Sequence, residues 1–564
     1  MEGSRRLLWL LLALGVAVYF VSLGNSAIWD ANEAYYVETP REMLEAGDLV
    51  NPTFNYLPRF NKPVLSYWIV AGLYQVFGVS VTVQRFGIAL GALGIMASAF
   101  ILASLPGTPA SGARWPSSVL RPPSSALWAA AGMAAAPRLL MFARRIFIDI
   151  WLTAFMALTL TFFALSEARP ERRRRYLLLM YASIGFGVLT KGPVAIALPA
   201  MAFALYLIVR GEIARVRDMM LPAGLLIIAA IVVPWYAALY HDHGWTYIRS
   251  FLIAENVERF TSGLGVQQHR GVWFYLPVVL SDSFPWSLLL PLAAVLAWRS
   301  RAPGRGAGDG RRLETLLWCW IGAIVGFFSL SAGKQDLYIF PIVPAVAALG
   351  GLAIQRTLAD PARRTFLSVT LAVGGALLAI AGGAVLFLFQ AAGRVYALDS
   401  AFLVGFIGLI GGTIALTFGV LRRPAAGALA LLAAMIAVNW SFVLRVLPEF
   451  ERYKPVPEFS RVLAGRLQPG DVVAHYQVSL PSMAFYLRRH VDQYFEDPPF
   501  VDAVLSSARV YAVLSDDDYA ALKPRIGART CILDRRPTFD VKLKRVLARQ
   551  PLPELLLISN QCRQ

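Results

Sequence analysis

Trp29-Asp30-Ala31-Asn32-Glu33-Ala34-Tyr35-Tyr36, then Asn61-Lys62-Pro63, come directly behind the first apolar run of the chain, residues 7–24. An apolar stretch of about 17 residues is adequate for one membrane span and long for the core of a signal peptide, so the segment from Arg5-Arg6 onward reads as a retained first helix. The charges and aromatic rings of 29–36 therefore stand at a membrane surface. A chain that is otherwise mostly membrane has few structural reasons to place such a cluster there, which makes it the first place to look for chemistry.

The rest of the 564 residues supports that reading. Hydrophobic residues make up 57% of the chain and charged residues only 16%, and the mean hydropathy is +0.56. A soluble protein of this size carries more charge and fewer long apolar runs. The runs are unbroken and lack strand-like alternation, so they predict helices and not a barrel. The net charge of +18 does not point to nucleic acid, because most of the arginine lies in short loops between apolar runs, where it orients the protein and meets lipid headgroups.

Apolar runs of spanning length fall near 7–24, 82–104, 125–142, 147–167, 176–190, 193–209, 219–240, 272–298, 313–331, 337–355, 366–389, 400–421 and 425–447, about thirteen in all. With the amino terminus inside, Arg172 to Arg175, Arg299, Arg301, Arg363, Arg364, Arg422 and Arg423 fall on one side, which the positive-inside bias makes cytoplasmic. An odd number of spans puts the carboxyl end outside. The outer side then carries residues 25–81, where 31–46 and 64–78 show helical periodicity and the latter suits an interfacial helix, and the loop 241–271. From about 448 the composition becomes soluble. Asp471–Tyr476 and Arg509–Leu514 read as short buried strands, and Pro481–Arg489 and Phe500–Ala508 as helices. The expected organisation is a membrane domain over 1–447 and a small extracytoplasmic α/β domain over 448–564. Cys531 and Cys562 both lie in that tail and pair if it is outside the cytoplasm.

Several cations break the positive-inside rule. Arg59, Lys62, Arg85, Arg144, Arg145, Lys191, Arg270 and Lys334 stand on the outer side near span ends. Any one of them is explained equally well by snorkelling to the headgroups. Together they suggest a bound anion, and phosphate is the obvious one. The acids facing them are few: Asp30 and Glu33 past the first span, and Asp149 about one turn into the fourth. Asp149 either pairs with Arg145 at i+4 spacing or takes part in chemistry, by orienting or deprotonating a hydroxyl or by holding a cation. Trp273, Phe274, Tyr275 and Trp286 flank this region, either as an interfacial aromatic belt or as a stacking surface for sugar or prenyl chain.

These motifs, taken in order, resemble the membrane glycosyltransferases of the GT-C fold. They are the Trp-Asp-x-x-Glu-x-Tyr block, Lys62-Pro63 before an interfacial helix, Arg145-x-x-x-Asp149, Thr190-Lys191-Gly192-Pro193, Pro234-Trp235-Tyr236, Pro285-Trp286, and Ser331 to Lys334 with Tyr338, Pro341 and Pro344 behind them. Within that fold the chain is most similar to the protein O-mannosyltransferases and the bacterial aminoarabinose lipid A transferases, over about residues 7–450. The resemblance implies an inverting enzyme of the bacterial inner membrane. It would use a polyprenyl-phosphate sugar donor on the periplasmic face, act as a monomer, and transfer to an envelope acceptor. Lipid A is the favoured acceptor, with protein hydroxyls or a polysaccharide as alternatives.

Carried over by position, Asp30 and Asp149 are the two acidic sites, and Lys62 joins them as catalytic. Arg59, Arg85, Lys191, Arg270 and Lys334 bind phosphate, and Glu33, Tyr35 and Tyr338 support. One departure is clear: Asn61 stands where the aminoarabinose transferases have an acidic residue associated with a divalent metal (Zn, Mg or Mn) and a histidine. His269 remains as a candidate ligand, with Asp30 as its partner, and two ligands make a thin site. The rival class, a lipid transporter or flippase, calls for charged or broken helices near the membrane midplane. Here the charges gather at one face, and a non-catalytic scaffold leaves the outer cluster without a purpose.

Overall fold

Ser80 shows how the sequence starts its helices. Its backbone is extended and its hydroxyl accepts a hydrogen bond from the Val83 N–H at 3.3 Å, satisfying one of the unpaired donors at the start of the helix Val81–Ser104. In the computed structural model, which describes residues 2–30, 32–59, 61–107, 122–145, 147–258, 261, 270–299, 309–390, 394–539 and 546–562, every apolar run becomes a helix or a broken helix. Among these described residues, eight helices are long and apolar enough to cross a membrane: Val81–Ser104, Phe147–Ala168, Leu221–His243, Gly310–Leu330, Asp336–Ala359, Pro361–Gln390, Ala401–Val420 and Pro424–Tyr453. A ninth is the pair Val272–Asp282 and Trp286–Trp298, bent by 111°.

The expected thirteen is therefore not reached by length and composition. Four of the runs fall short for visible reasons. The first helix ends at Ala17. The run 125–142 breaks before Pro137 into Ser124–Ala135 and Pro137–Phe142, where a ring nitrogen cannot continue the ladder. Arg173–Lys191 has cations at both ends, and Val194–Arg210 has only 17 residues.

Near the end of the membrane region, the helices Arg364–Gln390 and Ala401–Val420 approach each other on glycine. A Cβ added at Gly382 would sit 2.4 Å from the backbone nitrogen of Leu409, and one at Gly412 would sit 2.4 Å from that of Ala379. Such small-residue seams let backbones touch where no hydrophobic drive exists between helices in lipid.

Behind the first helix, the helix Asn32–Ala46 is followed by a short hairpin, β1 (Thr53–Phe54) and β2 (Leu57–Pro58), and by the apolar helix Leu65–Phe77. The tail builds a five-stranded sheet from β3 (Val472–Tyr476), β4 (Asp492–Tyr494), β5 (Val510–Ser515), β6 (Cys531–Pro537) and β7 (Glu554–Ser559), in the order β4-β3-β5-β7-β6. β3 runs parallel to β4 and β5, and β7 antiparallel to β5 and β6. Ala474, Val513, Leu556 and Leu557 are buried within it. Cys531 and Cys562 are joined, with Cα atoms 5.7 Å apart.

The tail docks on this hairpin. The Asn55 amide donates to Val491 O and accepts from Val491 N, both at 2.8 Å, and the Tyr56 hydroxyl donates to Arg488 O at 3.2 Å.

Candidate active site

Two helix ends create the central ion pair. Asp149 lies in the first turn of Phe147–Ala168, and Lys191 in the last turn of Arg173–Lys191. Each charge thus complements the dipole of its own helix. Gly192, at φ +100°, stops the second helix in a conformation that side-chain-bearing residues rarely adopt, and Pro193 opens the next. The Lys191 ammonium donates to the Asp149 carboxylate and stands 5.7 Å from the centre of the Tyr338 ring. Asp149 therefore pairs with Lys191, 42 residues away, and not with its i+4 neighbour Arg145.

That pair lies in the wall of a cavity of about 550 Å³. Arg59, Lys62 and Tyr338 line it as well, and Asp149 is the sole carboxylate in its lining among the described residues. Ile148, Leu152, Val194, Leu198, Phe327 and Phe328 form apolar wall. Arg59 lies over the Tyr35 ring at 3.8 Å, and its Nε donates to the Tyr67 hydroxyl at 3.1 Å. The backbone carbonyl of Lys62 accepts from the Tyr247 hydroxyl at 2.6 Å. Three cations, one carboxylate and a long apolar wall suit an anionic headgroup on an oily chain.

Other expected site residues fall elsewhere. Asp30 does not line the cavity. Its carboxylate accepts from the Ser482 N–H of the tail at 2.8 Å, and burial pushes its pKa up to about 6. Asn32, two residues on, lines the cavity instead, together with Tyr36. Arg85 is not a phosphate ligand. Its guanidinium is 1% exposed and spends its donors on Glu33, Leu23 O, Ser26 O and Oγ, and Ala27 O. Glu33 is the other half of this buried lock, at 2.6 Å, and is absent from the cavity wall.

Lys334 is buried and donates to Ser331 O at 2.5 Å, and Arg270 lies over the Phe274 ring at 4.3 Å; neither lines the cavity. Trp286 is no stacking platform, because it is 1% exposed and its indole donates to Trp128 O at 2.7 Å. Trp273 is 81% exposed, as an interfacial aromatic would be. His269 lies outside the described residues. Among the described residues no group of three or more His, Cys, Asp or Glu is arranged to hold a metal, and the one carboxylate of the cavity is already paired.

Comparison with known proteins fits this geometry. The model of the dolichyl-phosphate-mannose-protein mannosyltransferase family matches residues 119–237. An undecaprenyl phosphate-alpha-4-amino-4-deoxy-L-arabinose arabinosyl transferase of Pseudomonas fluorescens (strain Pf0-1) is 28% identical over 446 residues, covering 77% of this chain and 71% of that protein. Its counterpart in Pseudomonas aeruginosa (strain UCBPP-PA14) is 31% identical over 359 residues, covering 63% of this chain and 61% of that protein, so this match spans about three fifths of the relative. Among solved structures, ArnT from Cupriavidus metallidurans bound to undecaprenyl phosphate superposes with a TM-score of 0.76 at 22% identity, over 98% of both chains. The Archaeoglobus fulgidus oligosaccharyltransferase gives 0.51 at 13%, over 93% of this chain and 71% of that one.

Proposed function

We propose that this chain, a membrane glycosyltransferase of the GT-C fold by sequence and architecture, moves a sugar from an undecaprenyl phosphate carrier to an envelope acceptor. The observation that carries the proposal is the cavity in which Arg59, Lys62 and Lys191 surround a single carboxylate beside an apolar wall. Breaking the bond from the anomeric carbon to the phosphate leaves positive charge on the sugar and negative charge on the departing phosphate. Cations fixed before the reaction stabilise the second without reorganising. The apolar wall accommodates the first units of the prenyl chain. Asp149, held by Lys191, is placed to stabilise the sugar charge or to orient the incoming nucleophile.

The relatives named above act on 4-amino-4-deoxy-L-arabinose, which makes that sugar the first to test here; lipid A is the favoured acceptor. With one paired carboxylate in the cavity, an acceptor that is already ionised suits the site better than a hydroxyl that must be deprotonated. Two observations support an extracytoplasmic active face. Arg173 and Arg215 pair with Glu167 at the far end of the helix that opens beside Asp149, and the joined Cys531 and Cys562 suit an oxidising compartment.

The test is transfer of labelled sugar from undecaprenyl phosphate to lipid A in purified membranes, compared between the parent chain and Lys62→Ala. The variant keeps the hydrogen bond from the Tyr247 hydroxyl, because that bond goes to the backbone carbonyl of residue 62. It is expected to lose at least about a hundredfold in transfer. Full activity in Lys62→Ala would remove the cavity from the reaction.

A further inference from the structure

The tail beyond residue 448 has no role in the chemistry proposed above, yet it grips one short segment from several directions. The Ala27 N–H donates to the Glu451 carboxylate at 2.6 Å, and the Lys454 ammonium donates to Ala27 O at 2.7 Å. The Ile28 N–H donates to the Tyr486 hydroxyl at 3.0 Å, and the Asp30 carboxylate accepts from the Ser482 N–H at 2.8 Å. Lys454 also stands over the Trp29 ring at 4.0 Å. An apolar cluster of Ile28, Ala34 and Val37 with Phe485 and Tyr486 seals the contact.

The gripped segment runs straight into the site. Asn32 and Tyr36 line the cavity. Tyr36 stacks on Phe147 with ring centres 6.0 Å apart, and Phe147 opens the helix that carries Asp149. A side chain placed on a mobile loop loses the precision that catalysis requires. Here the loop is fixed by groups more than 400 residues distant in sequence.

We propose that Asp30 is a positioning residue, and that the carboxyl-terminal domain acts through it and Tyr486 to hold Asn32 and Tyr36 in the wall of the donor cavity. This rests on the glycosyltransferase reading for its kinetic consequence, but the contact itself stands independently. A positioning acceptor needs an oxygen, and a general base needs a titratable carboxylate. Asparagine keeps the oxygen that accepts from Ser482 and lacks the base.

The experiment compares Asp30→Asn, Asp30→Ala and Tyr486→Phe in the full-length chain, reading sugar transfer together with hydrogen–deuterium exchange of the amides at 27–36 and 482. Asp30→Asn is expected to keep kcat within about threefold of the parent, since the acceptor oxygen remains. Asp30→Ala and Tyr486→Phe are expected to raise exchange at 27–36 and to lower kcat about tenfold or more while changing the donor KM little. An inactive Asp30→Asn with unaltered exchange would make the carboxylate itself chemical and overturn the proposal. Unaltered exchange at 27–36 in Asp30→Ala would overturn it whatever the activity. A parent chain that transfers no sugar, yet shows the exchange pattern, would count against the proposed reaction and leave the positioning contact supported.

Discussion

Glu33 and Arg85 face each other with almost no exposure, and five further hydrogen-bond partnerships of Arg85 and Glu33 tie the end of the first span to the start of the next long helix. Removing one member of such a pair leaves the other charged and unpaired in a dry interior, which costs about 3–5 kcal/mol. Arg85→Ala is expected to lower the thermal midpoint of the detergent-solubilised protein, while the residual folded fraction keeps the undecaprenyl phosphate binding proposed above. A selective loss of that binding with an unchanged midpoint would return Arg85 to the phosphate site. At this scale the sequence was informative about residue type and poor about partner. Arg59, Lys62, Asp149 and Lys191 stood out as charges beside span ends and Tyr338 came with the family resemblance, but Arg85, Arg270 and Lys334 stood out equally and do not line the cavity. Asp30 and Glu33 stood out in the same way, but their partners lie 452 and 52 residues away, and a linear pattern contains nothing about that pairing. Asn32 is a neutral residue beside two acids, so charge counting passed over it.

Among the elements, the helices were legible wherever a long apolar run met a clear boundary, as at Ser80. They were less so where proline or arginine shortened a run, as at Pro137 and Arg173. In the tail, β3 and β5 were visible as buried runs, and β7 carries an equally plain Leu555-Leu556-Leu557-Ile558 signal that sequence reading passed over. The close approach of Arg364–Gln390 and Ala401–Val420 yields an element-scale expectation. Gly382→Leu would force a side chain against backbone atoms, and overpacking of this kind costs about 1–3 kcal/mol. The thermal midpoint should fall, whereas transfer at low temperature should survive, because neither helix contributes to the cavity wall. Gly383→Leu, at a position with open space around the added Cβ, is the matched control and should leave the midpoint unchanged.

Buried acids take part in the contacts that hold the loop between the first helix and Leu65–Phe77, and this makes the cohesion of the whole molecule sensitive to pH. Burial lifts Asp30 to about 6, and burial, joined by the neighbouring Glu38, lifts Glu42 above the usual carboxylate range. A carboxyl whose folded pKa is raised favours the folded state most when protonated. Its contribution is complete below the unfolded value and is lost as pH rises through the folded one. As pH falls from about 7.5 to about 5.5 these two carboxyls raise the midpoint of unfolding, while His475, held down to about 4 by burial, lowers it, and Asp30→Asn should remove the share that Asp30 contributes to the slope. An unchanged slope would exclude Asp30 as its source.

The same docking has a consequence for the order of synthesis. Residues 27–30 leave the ribosome early, while Glu451, Lys454, Ser482 and Tyr486, which hold them, are made near the end. A nascent chain can thus insert nearly all its helices and still present an unfinished pocket. Fragments released before Ser482 are expected to be inert.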